Sequence, residues 1–174
     1  MMTNIVLIGM PGCGKSTVGV LLAKALGKAF IDTDVVLQAK EGRKLQPMID
    51  DIGIDAFLKK EQDAILSLDC ENTVIATGGS VIYGDDAMRY LHENGIVVYI
   101  KLPYRAIERR LSNLATRGVT LKEGQTLLDL YNERIPLYEA SADVVCESNG
   151  LEIEETVTKV SSLIESYSEA RHGC

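Results

Sequence analysis

Residues 9–16 have the types and the spacing of a phosphate-binding loop. They read Gly-Met-Pro-Gly-Cys-Gly-Lys-Ser and fit the pattern G-x-x-x-x-G-K-[ST]. In such a loop the glycines let successive backbone N–H groups point at an anion, the lysine reaches the outer phosphates, and the serine hydroxyl can bind Mg²⁺. The sequence therefore predicts a protein that binds a nucleotide through its phosphates. The predicted nucleotide contacts in this stretch are Gly12, Cys13, Gly14, Lys15, Ser16 and Thr17.

The motif lies between a predicted strand and a predicted helix. The apolar run 5–8 precedes it, and Val18, Leu21, Leu22 and Ala25 recur behind it at helical spacing until Gly27. The alternative is a chance match on a glycine-rich turn. Because strand, turn and helix stand in the order that the motif requires, the sequence favours the phosphate-binding interpretation.

Strand-like apolar runs alternate with helical patterns along the chain. The five predicted strands are residues 5–8, 29–31, 73–76, 96–100 and 143–146. Helices are predicted after each strand, among them 45–51, 55–68, 87–92, 104–114, 126–135 and a last helix over about 153–167. This alternation predicts a parallel sheet covered by helices on both faces, with ligands at the carboxyl ends of the strands.

Carboxylates follow the second predicted strand, in Asp32-Thr33-Asp34. Asp32 could hold Mg²⁺ or its water shell, and Asp34 could orient and deprotonate an attacking hydroxyl. The alternative is a helix N-cap formed by Thr33 or Asp34.

Two consecutive glycines follow the third predicted strand, in the segment Thr77-Gly78-Gly79-Ser80. Glycines at this point could let the chain approach a terminal phosphate. The alternative is a simple turn at the end of a strand.

The polar stretch 115–124 has the composition of a mobile flap, with Arg117 before Gly118 and Lys122 between Gly118 and Gly124. A charged flap can close over phosphates and expel water, whereas the alternative is a solvated loop. The following helix contains Arg134, and Pro136 is predicted to end that helix. On its own, Arg134 could also be one more exposed helix charge.

The bulk properties agree with a modest enzyme. The chain of 174 residues predicts one domain, and its net charge of −7 argues against a nucleic-acid partner. No apolar run is long enough to span a membrane, and the N-terminal residues lack the pattern of a signal peptide. Four scattered cysteines are typical of reduced thiols, so we expect a cytoplasmic protein.

Taken in order, these motifs resemble the shikimate kinases over nearly the whole chain. The shared pattern is Gly-Met-x-Gly-x-Gly-Lys-Ser, Asp-Thr-Asp, Thr-Gly-Gly, a flap arginine and Glu-Arg-x-Pro-Leu-Tyr. The resemblance implies a three-layer α/β/α P-loop kinase fold of the nucleoside-monophosphate-kinase type, with a five-stranded parallel sheet in the order 2-3-1-4-5. It also implies transfer of the γ-phosphoryl group of ATP to a ring hydroxyl of shikimate, with helices within about residues 33–68 binding the acceptor.

The resemblance also implies roles for single residues. On the nucleotide side, Lys15 and Ser16 hold ATP and Mg²⁺, Asp32 supports the Mg²⁺, Arg110 packs on adenine, and Asn149 in the loop 148–150 closes the other side of the base. On the acceptor side, Asp34 grips the hydroxyls and acts as the base, and Arg134 pairs with the carboxylate. The other expected acceptor contacts are Phe57, Leu58, Gly78, Gly79 and Ser80. Arg117 is the flap cation, which binds ATP and takes part in catalysis together with Lys15 and Asp34.

The chain departs from the family pattern at the acceptor site. Where the family has Gly-Glu-x-x-Phe-Arg-x-x-Glu, residues 53–61 retain Phe57 and Glu61 but place Leu58 at the arginine that clamps the carboxylate. Ser80 replaces a third glycine, and Gly118 replaces the proline after the flap arginine. Since a charge-assisted hydrogen bond contributes about 1.5–3 kcal/mol, its loss predicts about 10- to 150-fold weaker shikimate binding.

We therefore expect a monomeric, Mg²⁺-dependent, ATP-using small-molecule kinase, with shikimate as the leading acceptor. The alternatives are a kinase for another small hydroxy acid or polyol and a catalytically weak nucleotide-binding switch. A nucleoside monophosphate kinase ranks lower, because a second phosphate requires more arginines at the acceptor site. The presence of Asp34 together with Lys15 argues against a pure switch, since a binding module has no use for an acceptor base.

Overall fold

The computed structural model describes residues 3–112 and 119–172, which form a five-stranded parallel sheet with helices around it. The strands are β1 (Asn4–Ile8), β2 (Ala29–Asp32), β3 (Thr73–Ala76), β4 (Gly95–Lys101) and β5 (Val144–Glu147). The helices are α1 (Lys15–Leu26), α2 (Thr33–Glu41), α3 (Leu45–Ile52), α4 (Ile54–Leu66), α5 (Asp85–Asn94), α6 (Tyr104–Ser112), α7 (Leu127–Ser141) and α8 (Ile153–His172), with a 3-10 turn at Val81–Tyr83. The sheet order is β2-β3-β1-β4-β5, which confirms the predicted topology.

Strand β1 is the centre of the sheet, and all five of its residues are buried. It pairs in parallel with β3 on one side and with β4 on the other, and β2 pairs with the outer edge of β3. Leu7 and Asp32 both lie opposite Ala76 of β3. The carboxyl ends of β1, β2 and β3 therefore lie side by side, which brings the segments 9–16, 32–34 and 77–80 to one edge of the sheet.

The turn after β1 requires a glycine at residue 9. Gly9 has a φ of +146°, and a Cβ there would lie 2.7 Å from the carbonyl oxygen of Ile100 on β4. The chain therefore leaves the sheet in close contact with the neighbouring strand, and this contact sets where the phosphate-binding loop begins.

Helices α2, α3 and α4 enclose a second, smaller core beside the one under the sheet. It consists of the buried side chains Leu37, Met48, Ile49, Phe57 and Ala64. Phe57 is only 2% exposed. Its place in this core gives it a structural role in orienting α4, and its predicted contact with the acceptor stays a prediction.

Helix α7 continues through Pro136, so the prediction that this proline ends the helix is wrong. Arg134 and Tyr138, one turn apart, are both fully buried. The Tyr138 hydroxyl donates a hydrogen bond to the carbonyl of Gly79, and its ring stacks on Tyr99 at 5.1 Å. We attribute the continuation of the helix to these contacts, which outweigh a cost of about 3 kcal/mol for an interior proline.

No helix within the described parts of the chain is long and apolar enough to cross a membrane.

Candidate active site

The phosphate-binding loop connects β1 to α1, as the motif predicts. Gly14, with a φ of +101°, immediately precedes the first residue of the helix, Lys15. The Lys15 ammonium group is 2.8 Å from the carbonyl oxygen of Gly9 and 3.0 Å from that of Met10, and it donates a hydrogen bond to each. Lys15 is only 7% exposed, because its side chain packs across the loop that contains it. A phosphate oxygen can replace these carbonyl acceptors without the side chain leaving the site.

Ser16 and Asp32 form a pair next to this loop. The Ser16 hydroxyl donates to Asp32 Oδ2 at 2.6 Å, and Asp32 Oδ1 accepts from the backbone N–H groups of Asp34 at 3.0 Å and Val35 at 3.4 Å. Asp32 is therefore the N-cap of α2, whereas the sequence suggested Thr33 or Asp34 for that task. A serine hydroxyl and a carboxylate oxygen are ligands that fit Mg²⁺ or its bound waters. Capping fixes the direction of the carboxylate, so the two roles are compatible.

Arg110 of α6 lies against the outside of the loop. Its Nη1 donates to the carbonyl oxygens of Gly12 at 3.3 Å and Cys13 at 3.2 Å. Asn149 is exposed and follows β5 at the same edge of the sheet. The structure thus brings Arg110 to the loop, and an adenine ring between Arg110 and Asn149 remains a prediction.

On the acceptor side, two carboxyl groups converge on Gly78. A Cβ at Gly78 would collide with Glu61 Oε1 and would lie 2.8 Å from Asp34 Oδ1. The Gly78 N–H is bound by the Thr33 hydroxyl oxygen at 3.2 Å, which ties the strand end to the start of α2. Glycine is required here because a methyl group would fill the space in which the two carboxyl groups meet.

Glu61 is the functional candidate that the sequence analysis did not select. It is 4% exposed, its Oε2 accepts a hydrogen bond from the Ser80 hydroxyl at 2.7 Å, and its Oε1 has no partner among the described residues. Burial raises the pKa of this carboxyl to about 7, and the charge of Asp34 adds to the shift. The hydrogen bond from Ser80 and the positive charges of Arg134 and Lys15 oppose it. The only available signal was its retention in the family pattern.

Arg134 provides a buried cation at the next glycine. It is 1% exposed, and a Cβ at Gly79 would lie 3.0 Å from its Nη1. Nη2 donates to the Thr120 hydroxyl at 2.6 Å, and Nε donates to the Tyr83 hydroxyl at 3.3 Å. Both of these partners are neutral, and no carboxylate within the described ranges forms an ion pair with Arg134. An anionic ligand can therefore supply the missing negative charge.

The residues that hold Arg134 also anchor the described end of the predicted flap. Tyr83 donates its hydroxyl proton to Glu133, and Glu133 also accepts from the Gln125 side chain at 2.9 Å and lies 3.7 Å from Lys122 Nζ. Together with the Thr120 contact, these interactions attach residues 119–125 to α7. The sequence did not indicate a role for Tyr83, Thr120 or Glu133, because these residues come together around Arg134 only in the folded chain.

A cavity of about 170 Å³ opens beside this cluster, between α4, residues 119–125 and α7. Its apolar wall consists of Ile54, Leu58 and Leu130, and its polar wall includes Tyr83 and Thr120. Leu58 thus faces a space large enough for a small ligand, next to Tyr83 and Thr120, the two hydrogen-bond partners of Arg134. The position at which the family pattern has an arginine is therefore occupied here by an apolar side chain that lines the cavity.

The predicted flap cation, Arg117, lies outside the described residues. The 119–124 part of the flap is described, and its anchoring is given above.

Comparisons with known proteins agree in pointing to one family. The family model described as Shikimate kinase matches residues 11–165 of the chain. A shikimate kinase of Francisella philomiragia is 39% identical over 168 residues, covering 92% of this chain and 94% of that protein. A shikimate kinase of Clostridium botulinum is 35% identical over 167 residues, covering 94% and 98%. Among solved structures, a shikimate kinase from Acinetobacter baumannii in complex with shikimate superposes with a TM-score of 0.88 at 32% identity, covering 95% of this chain and 94% of that one.

Proposed function

The chain belongs to the shikimate kinase family, and we propose that it transfers the γ-phosphoryl group of ATP to a hydroxyl group of a small hydroxy acid, with shikimate as the leading acceptor. The observation that carries the proposal is the arrangement around Gly78 and Gly79. The Asp34 carboxyl group lies at the first glycine and a buried cation, Arg134, at the second. The phosphate-binding loop begins on the neighbouring strand β1.

The nucleotide side uses groups that are already in place. ATP phosphates bind to the N–H groups of the loop, and Lys15 exchanges its carbonyl partners for phosphate oxygens. Ser16 and Asp32 would hold Mg²⁺, and the bound ion would neutralise charge on the phosphates. Arg110 and Asn149 enclose the base.

The acceptor side positions one hydroxyl for attack. Arg134 binds the acceptor carboxylate and thereby fixes its orientation over Gly78 and Gly79. Asp34 accepts the hydroxyl proton as the oxygen bonds to the γ-phosphorus and the bond to ADP breaks. Arg117 supplies a further cation to the phosphates.

A second candidate is a kinase for a different small hydroxy acid. It is favoured by Leu58, which presents an apolar surface to the cavity where the family pattern has an arginine. Arg134 keeps the requirement for one anionic group, so this observation favours a hydroxy acid over an uncharged polyol.

A coupled assay of ADP release over a panel of shikimate, other hydroxy acids, polyols and nucleoside monophosphates tests both candidates. The proposal requires shikimate turnover that is strongly reduced in Lys15→Ala and Asp34→Asn and retained in Asp63→Asn, which changes an exposed carboxylate on α4. Turnover of a different hydroxy acid at much higher kcat/KM than shikimate would select the second candidate. ATP binding without turnover of any acceptor would replace both with a nucleotide-binding switch.

The proposal further includes a monomeric, cytoplasmic enzyme without nucleic-acid or membrane partners. The acidic net charge of −7 and the four cysteines without paired spacing support this part. Sedimentation analysis of the purified protein tests the oligomeric state.

A further inference from the structure

The acceptor site contains a second carboxyl group that the proposed mechanism does not use. Glu61 reaches the same point over Gly78 as Asp34, with the two oxygens within about 5 Å of each other. Its Oε1 is buried and has no hydrogen-bond partner within the described part of the chain. A buried polar atom without a hydrogen-bond partner costs free energy unless a ligand forms the missing hydrogen bond.

We infer that Glu61 binds the acceptor directly, as a neutral carboxylic acid that donates a hydrogen bond from Oε1 to the hydroxyl oxygen whose proton Asp34 removes. This inference rests on the proposed function and adds a specificity-determining group to that site.

The position of the proton follows from the partners of the two oxygens. Ser80 donates its hydroxyl proton to Oε2, so Oε2 acts as an acceptor. The acid proton therefore belongs on Oε1, which is the oxygen that meets Asp34 over Gly78.

The direction of the hydrogen bond follows from the single proton of the acceptor hydroxyl. If Asp34 takes that proton, a second group at the same oxygen has only lone pairs to bind, and it must be a donor. A neutral carboxylic acid meets this requirement, whereas an ionised one repels both Asp34 and the oxygen, which becomes more negative during transfer.

The charges around Glu61 allow the neutral form near pH 7. Asp34 of α2 opposes ionisation, and Lys15 of α1 and Arg134 of α7 favour it. Burial exceeds these effects and raises the pKa to about 7. Leu58, one turn earlier on α4, lines a small cavity together with Glu61 and contributes no charge. An arginine at that position would hold the carboxyl ionised.

The test is the pH dependence of kcat/KM for shikimate in the wild type and in Glu61→Gln. A glutamine amide donates like the neutral acid but does not titrate, so the variant should show no loss of kcat/KM as the pH rises. The wild type should lose about tenfold relative to the variant between pH 6 and pH 8, because loss of the donor follows ionisation near pH 7. Asp63→Asn on the exposed side of α4 should retain the wild-type profile. Parallel profiles for the wild type and Glu61→Gln would overturn the inference.

Ser80→Ala provides a second measurement that does not depend on the folding of Glu61→Gln. The Ser80 hydroxyl stabilises the ionised form, so its removal should move the decline in kcat/KM to higher pH. If Glu61 had only a structural role, Ser80→Ala would lower the amount of active enzyme without moving the pH at which kcat/KM declines. An unmoved decline would therefore contradict the inference. Failure of the proposed function is a separate result, namely no shikimate turnover by the wild type at any pH, and it would remove the role of Glu61 toward shikimate as well.

Discussion

Asp34 and Glu61 approach one point over the backbone of Gly78 from two different helices, α2 and α4. Asp34 lies in the first turn of α2, two residues after the N-cap Asp32, at the edge of the sheet. Glu61 is buried and accepts a hydrogen bond from the Ser80 hydroxyl. Two carboxyl groups in different surroundings can divide proton acceptance and hydrogen-bond donation between them. The absence of a side chain at Gly78 makes this meeting possible.

We expect Gly78→Ala to reduce acceptor turnover strongly. The added methyl group would collide with Glu61 Oε1, so the carboxyl groups must separate and the acceptor loses its place. Turnover should fall about 10²-fold or more, while the dissociation constant for an ATP analogue changes little. Gly84→Ala is the matched control, because its nearest neighbour is the movable end of Gln62. Equal loss of activity in both variants would argue against a specific role of Gly78.

Asp34→Asn tests the acceptor base. The amide keeps the size of the side chain but cannot accept the hydroxyl proton, so turnover should fall about 10²-fold or more with ATP affinity nearly intact. Steady-state kinetics and nucleotide-binding calorimetry separate the two constants. A comparable loss of ATP binding would indicate that Asp34 serves Mg²⁺ or the structure instead.

The stability of the protein should depend on the protonation of Glu61. Its pKa is about 7 in the folded chain against about 4.3 in an unfolded one, so the folded state binds the proton more tightly. The resulting stabilisation is complete below about pH 4 and is lost as the pH rises to about 7, amounting to about 4 kcal/mol. Urea unfolding of the wild type and Glu61→Gln at pH 5 and pH 8 measures it. From pH 5 to pH 8, the free energy of unfolding of the wild type should fall relative to that of Glu61→Gln. An equal difference between the two proteins at both pH values would disprove the raised pKa of Glu61.

Thr120→Val tests the link between the flap and the acceptor cation. The variant removes the hydroxyl that accepts from Arg134 Nη2, and a hydrogen bond to a charged group contributes about 1.5–3 kcal/mol. The KM for the acceptor should rise about tenfold or more, and amide exchange over 119–125 should become faster. Thr158→Val on the exposed face of α8 is the control. Unchanged exchange would mean that residues 119–125 are held independently of Arg134.

The elements that could be predicted from the sequence are those whose signal is local. The loop at 9–16 has its own strand and helix, and Asp32 and Asp34 follow a strand whose carboxyl end must face ligands. Glu61 could not be selected in the same way, because its unpartnered oxygen depends on where α4 packs over Gly78. The course of α7 through Pro136 was missed for a related reason: its contacts come from Gly79 and Tyr99, far away in the chain.

Leu58→Arg tests the substrate. Leu58 faces the cavity beside α7, so an added guanidinium can reach the acceptor carboxylate that Arg134 otherwise binds alone. If shikimate is the natural acceptor, its KM should fall by up to about 10- to 150-fold with a smaller change in kcat, since the new pair acts in ground and transition states alike. The gain is reduced by any cost of burying the cation. Leu66→Arg, at an exposed position of the same helix, controls for added charge.

The same variant should change the behaviour of Glu61, three residues along α4. The new cation favours ionisation of the carboxyl, so the decline in kcat/KM near pH 7 should disappear, and Glu61→Gln should become harmful because it leaves the arginine without its counterion. If the natural acceptor has an apolar face, Leu58→Arg should reduce activity on it while creating or improving activity on shikimate. Wild-type turnover of shikimate below detection that the arginine does not rescue would eliminate shikimate and leave a kinase for a different hydroxy acid.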